Sequence, residues 1–140
     1  MLAIQGDLND PRDNFTQPKL FDFDAAIISM ALHHVQDPSK LLKRLQQRVK
    51  RGGSIVVIDW LQRSDNDASA STDEARMTRL PEGPHIWPGF SIDDIKRHFN
   101  AAGCIEVDVV VYSEPFETPK EMEGYNRMLI AKAKTASFDD

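Results

Sequence analysis

Ala25-Ala26-Ile27-Ile28-Ser29-Met30-Ala31 is a short, nearly continuous apolar run, and Ser54-Ile55-Val56-Val57-Ile58-Asp59-Trp60-Leu61 is a second. Runs of that length, apolar on both faces, suit strands that are covered on both sides. Between them Asp37 can accept hydrogen bonds from orphan backbone N–H groups, and Pro38 fits the first helical position, where no donor is needed. Leu41, Leu42, Leu45 and Val49 then share one helical face, with Lys43, Arg44, Gln46, Gln47 and Lys50 on the other. Gly52-Gly53 reads as the stop, so the pattern predicts a helix over 38–50 between strands 25–31 and 54–61. Strand, helix and strand make a βαβ unit with parallel strands.

Outward from that unit the signals weaken. Met1 to Gln5 reads as a short strand with Gly6-Asp7 past its carboxyl end, and Asn9 to Leu20, interrupted by Pro11 and Pro18, reads as a loop. Residues 62–84 lose apolar periodicity and read as a flexible insert. Order returns at Phe90, with Ser91 and Asp94 at capping-box spacing and Phe90 and Ile95 at the positions of a hydrophobic staple. Ile92, Ile95, Phe99 and Ala102 form the expected buried stripe, and Gly103 ends that helix. Two further strands are expected at 105–112 and 127–134. The first has Glu106 and Asp108 opposite its apolar positions, which suits an edge. The reading is therefore one domain over 1–134 with a polar tail at 135–140.

Composition narrows the class. The 140 residues carry 22 acidic and 17 basic side chains, for a net charge of -5. That balance, without a basic stripe, argues against a nucleic-acid partner. No apolar stretch approaches the roughly 20 residues that cross a bilayer, and the start lacks a secretory pattern, so no membrane partner is expected and the cytoplasm is the default compartment. Cys104 is the only cysteine, which leaves no intramolecular disulfide and no thiolate-rich metal site. No metal site is expected.

In an open parallel sheet, ligands bind outside the carboxyl ends of the strands. Asp7, the corner from Met30 to His34, the Asp59-Trp60 corner and the segment containing His85 all fall on that rim. One of His33 and His34 could serve as a base near neutral pH, and the bland alternative is one histidine on backbone and one exposed. Asp7 and Asp59 each either meet a ligand or cap a turn. Trp60 and Trp87 are either substrate contacts or packing. His85 sits in a loop stiffened by Pro84 and Pro88.

Residues 23–38 resemble the fourth-strand motif of class I S-adenosylmethionine-dependent methyltransferases that act on small molecules. Residues 45–59 resemble the helix, glycine turn and fifth strand of the same family, and 89–104 resemble its late helix and sixth strand. The resemblance implies an α/β fold: an incomplete doubly wound, Rossmann-like sheet, mostly parallel, with one antiparallel strand near the C-terminal side. It implies a 4-5-7-6 order, with 127–134 antiparallel beside 54–61 and 105–112 outside it. It implies S-adenosylmethionine as cofactor, with Asp7 and Leu8 against the adenine and Met30, Ala31 and His34 bordering the methionine part. It places the segment from Asp59 through His85, Trp60 included, on the side of a small-molecule methyl acceptor, with His34 the candidate to orient or deprotonate it. His33 and Trp87 are further substrate-contact candidates from their place near the rim. The family's opening strand and Gly-x-Gly-x-Gly-like turn do not occur in this sequence. The expectation is thus an N-terminally truncated domain with impaired transfer. The alternative is a non-catalytic fragment that acts as a protein-interaction module. Either way strand 25–31 is expected to expose an edge, open to self-association, to a protein partner or to Met1–Gln5.

Overall fold

The computed structural model describes residues 3–10, 16–62, 78–79, 85–87, 89–112 and 127–136. Strands β1 (Phe23–Ser29), β2 (Val49–Trp60), β5 (Cys104–Val111) and β6 (Met128–Thr135) form one sheet in the order β1-β2-β6-β5. β1 and β2 are parallel, and β6 runs antiparallel to both β2 and β5. Parallel pairing of the two apolar runs and the outer place of β5 are as the sequence predicts. β3 (Thr78–Arg79), within the expected flexible insert, pairs antiparallel with β4 (His85–Ile86), just past its end, and the rest of 63–84 lies outside the described residues.

Helices α1 (Pro38–Gln46) and α2 (Ile92–Ala101) both pack into a single core with the sheet. Asp37 caps α1 by accepting the Lys40 N–H at 3.1 Å. The helix stops at Gln46, four residues before the predicted end. Arg48 gives its N–H to Leu45 at 2.9 Å and accepts that of Phe23 at 3.1 Å, so the chain has already turned into the ladder. Val49 is buried from β2, opposite Phe23, and not from the helix. Early entry into the sheet satisfies backbone groups that another helical turn would leave for water.

Gly52-Gly53 accordingly does not end a helix; it sits in an irregularity of β2, where register shifts between Phe23 and Ala25. Gly52 has φ +76, and a Cβ at Gly53 would overlap Val49 Cγ1 and lie 2.8 Å from the Asp24 carbonyl oxygen. Two demands on two glycines explain the pair: a left-handed backbone at one, close approach at the other. Thr135 ties the same region to β6 by donating its hydroxyl to the Lys50 carbonyl at 2.7 Å.

Of the expected strand over Met1–Gln5, the described residues 3–5 are not in a strand. Residues 3–7 are exposed and irregular, and Met1 and Leu2 lie outside the described residues. Among the described residues β1 pairs with β2 alone. Its side chains alternate, Ala26 and Ile28 against the core and Ile27 67% exposed on the other face. Ile130 and Val110 are also exposed, at 38% and 57%. A groove of about 390 Å³ runs along β1, lined by Ile4, Leu8, Leu20, Phe23, Ile27 and Leu45 among others.

On α2 the capping box is complete: Ser91 Oγ accepts the Asp94 N–H at 3.0 Å, and Asp94 Oδ2 accepts that of Ser91 at 3.1 Å. Ser91→Ala should therefore lower stability by about 1 kcal/mol, read as a lower urea midpoint at unchanged slope. The buried face centres on Asp94, Ile95, His98 and Phe99. That centre turns Ile92, predicted to be buried, to the margin, where it is 38% exposed. Cys104 is buried, and burial pushes its thiol up to about 11 from 9.0. Between those values the unfolded thiol ionises while the folded one keeps its proton, so this group's contribution to stability falls as pH rises across that window. Iodoacetamide near pH 8 should leave the native protein unmodified and label it promptly in urea.

Candidate functional site

β1 and β2 end side by side, and the chain leaves each at the same rim. Met30 leaves β1 with φ +54, an unfavourable value for a side chain with a Cβ, while its N–H still donates to Ile58 at 2.8 Å. A 3-10 turn over Leu32–His34 follows, with Leu32 fully buried as its anchor. On β2 the buried positions alternate through Ile55 and Val57 to Asp59. The same period that builds the core thus places a carboxylate, fully buried, beside the turn.

Asp59 is saturated with donors. Its Oδ2 accepts the backbone N–H of His33 at 3.0 Å. Its Oδ1 accepts the Trp60 N–H at 2.7 Å and lies 2.7 Å from Nδ1 of the His33 ring. Asp59 therefore both caps the end of β2 and grips the corner after β1. The His33 side chain keeps 9% of its surface exposed. His34 is exposed, its ring 4.1 Å from that of His33 at 41°.

Trp87 closes the back of this corner. Its backbone N–H donates to the His33 carbonyl at 2.7 Å, and its indole N–H donates to the Val35 carbonyl at 2.9 Å. At 2% exposure it packs between the turn and the core. Gly89, at φ +136, lets Phe90 pair with the end of β2; a Cβ there would sit 3.0 Å from the Trp60 carbonyl oxygen. Trp60 is half-buried beside this bridge. His85 lies in β4 opposite Arg79, and its side chain is outside the described part.

The N-terminal candidates form a separate turn. Asp7 is exposed, accepts the Asn9 N–H on Oδ1 at 2.8 Å, and its carbonyl takes the Asp10 N–H at 3.1 Å. Leu8 packs against the core from the groove along β1. Asn9 Oδ1 is buried without a hydrogen-bond partner among the described residues. Of the candidates read from sequence, the structure thus brings His33, Asp59, Trp60 and Trp87 into direct contact. Met30, Ala31 and His34 stand on the adjoining corner, with Ala31 exposed.

Two features escaped the sequence reading. One is the clasp of His33 by Asp59. The other is His98, 1% exposed, with Nδ1 2.7 Å from Ser39 Oγ and its ring edge-on to Trp87 and Phe90. His98 lies three residues beyond Ile95, a spacing that placed it on the buried stripe all along.

Comparison with known proteins identifies the family of the domain. A family model described as a methyltransferase domain matches residues 3–108. An uncharacterized methyltransferase of Schizosaccharomyces pombe is 28% identical over 104 residues, which are 74% of this chain and 35% of that protein. An S-adenosylmethionine-dependent methyltransferase of Thermotoga maritima superposes with a TM-score of 0.55 at 21% identity, covering 86% of this chain and 60% of the other. The 1,6-didemethyltoxoflavin-N1-methyltransferase of Burkholderia thailandensis, solved with S-adenosylhomocysteine, gives 0.57 at 15% identity over 82% of this chain and 44% of its own. The chain thus spans about a third of the curated relative it matches.

Proposed function

The chain belongs to the methyltransferase-domain family, and from that premise we propose that it supplies the acceptor-side half of an S-adenosylmethionine-dependent methyl transfer to a small molecule. The observation that carries the reading is the corner at the carboxyl ends of β1 and β2, where His33, Asp59 and Trp60 are joined by hydrogen bonds. Parallel neighbours ending at one rim are where such sheets bind ligands.

The residues present fit one end of the cofactor. Asn9 Oδ1, a buried acceptor without a partner among the described residues, suits an exocyclic amino donor beside Asp7 and Leu8. Met30, Ala31 and His34 would border the methionine end. No Gly-x-Gly-x-Gly turn occurs in the sequence, so the ribose and carboxylate contacts made by that turn are not supplied by these residues. When bound, S-adenosylmethionine provides an electrophilic methyl group on a sulfonium. The chain's own work is to align the acceptor, exclude water with Trp60 and Trp87, and hold a proton-accepting ring in place.

Isothermal titration of the full chain with S-adenosylhomocysteine tests the cofactor reading. Weak 1:1 binding, lost in Asp7→Ala, is the expected result; heat-free titration would favour a non-catalytic role. The open edge of β1 supports a second component of the same reading. It suits a further strand, from additional polypeptide or another protein, that would complete the sheet.

A further inference from the structure

We propose that Asp59 is a positioning residue that keeps the His33 proton on Nδ1, so that Nε2 is the group that takes a proton from a hydroxyl acceptor. The assignment of an acceptor rests on the methyl-transfer reading; the state of the imidazole does not.

The argument starts from donors and acceptors. Both Asp59 oxygens already accept backbone N–H groups, from His33 at 3.0 Å and Trp60 at 2.7 Å. A carboxylate held that way is an acceptor toward its third neighbour as well, so Nδ1, at 2.7 Å, is the donor. In a neutral imidazole the other nitrogen then carries the lone pair. Among the described residues Nε2 of His33 makes no hydrogen bond, and the ring is wedged against His34 with its backbone fixed by Asp59 and Trp87. A base held in one tautomer and one orientation is what proton transfer requires. His34 has the same chemistry without that restraint: it is exposed, and no side-chain hydrogen bond fixes its ring among the described residues.

The clasp also selects the kind of acceptor. A neutral amine or a thiolate attacks a methyl group without help, whereas a hydroxyl is a poor nucleophile until it loses its proton. A fixed base beside the rim therefore points to an oxygen acceptor. His33 Nε2 would take the hydroxyl proton as the oxygen–methyl bond formed, and S-adenosylmethionine, when bound, would supply the methyl group and keep the carbon–sulfur electron pair. The imidazolium so formed would face the Asp59 carboxylate, offsetting the charge lost from the sulfonium.

Long-range 1H–15N spectra of the full chain with labelled histidines, recorded at alkaline pH, read this directly. We expect His33 to show Nδ1–H and a bare Nε2. Asp59→Asn should reverse the pattern, because an amide can donate to Nδ1 and drive the proton to Nε2. Millimolar phenol, a plain O–H donor, should move the Nε2 resonance in the wild type. Anisole, its methyl ether, should not, and Asp59→Asn should lose the phenol response. Protonated Nε2 in the neutral wild-type ring, or equal responses to phenol and anisole, would overturn the assignment even if Asp59→Asn does not fold. Failure to bind S-adenosylhomocysteine with these signatures intact would remove the methyl-transfer reading alone.

Discussion

Asp59→Ala should cost about 3–5 kcal/mol of stability, the range for breaking a buried charged network by deleting one partner. The substitution deletes one carboxylate but strands three donors: the His33 N–H, the Trp60 N–H and the His33 ring at 2.7 Å. Each buried donor without a partner costs about 1–3 kcal/mol, and the site cannot simply flood, since Asp59 is fully buried. Small domains hold roughly 5–15 kcal/mol in total, so this single change should remove at least about a fifth of the stability and lower the urea midpoint in proportion. His33→Asn provides the contrast. Its amide can still donate to Asp59 Oδ1 from near the place of Nδ1, so about 1 kcal/mol or less should be lost while the proton acceptor disappears. A loss below about 1 kcal/mol for Asp59→Ala would mean that water or another side chain replaces the carboxylate, and the clasp would not be what joins the two strand ends.

How much of this was legible in the sequence follows from which forces are local. The two apolar runs and the Asp37-Pro38 start are local signals, and they correctly placed β1, α1 and β2 and the parallel pairing. The alternation in 105–111 likewise announced an outer strand, because one wet face is a property of neighbouring residues alone. The end of α1 was not legible. Gly52-Gly53 stops a helix in most settings, and only the approach of Asp24 and Val49 to Gly53 shows that the pair serves the ladder. The choice between His33 and His34 was also beyond reach. Adjacent residues on a tight turn point different ways, and which one turns inward is decided by Asp59, 26 residues away. Asp59 itself was half legible: counting by twos from Ile55 puts it on the core face, where a carboxylate must find donors. Nothing in the sequence warned that residues 3–5 would stay out of the sheet, since a strand needs a neighbour and residues 3–7 lack one among the described segments.

The unpaired side of β1 leads to the second large effect, in amide hydrogen exchange. Met30 donates to Ile58 across the β1–β2 ladder, and a parallel ladder uses every second residue of each strand. Counting back by twos, the Ile28 and Ala26 N–H groups also face β2, while those of Ser29, Ile27 and Ala25 face the open edge. β2 differs because it is flanked by β1 on one side and β6 on the other, with register unbroken from Ser54 to Trp60 against β6. Its amides should exchange only through global opening, which for about 5 kcal/mol means slowing by roughly 10³–10⁴. In a verified monomer the amides of Ala25, Ile27 and Ser29 should then exchange at least about 10²-fold faster than that of Val57. A rise in their protection with protein concentration would identify pairing between copies at this edge. Equal, long-lived protection of both strands at every concentration would sink the open-edge account, because some segment of the same chain would have to occupy the position beside β1.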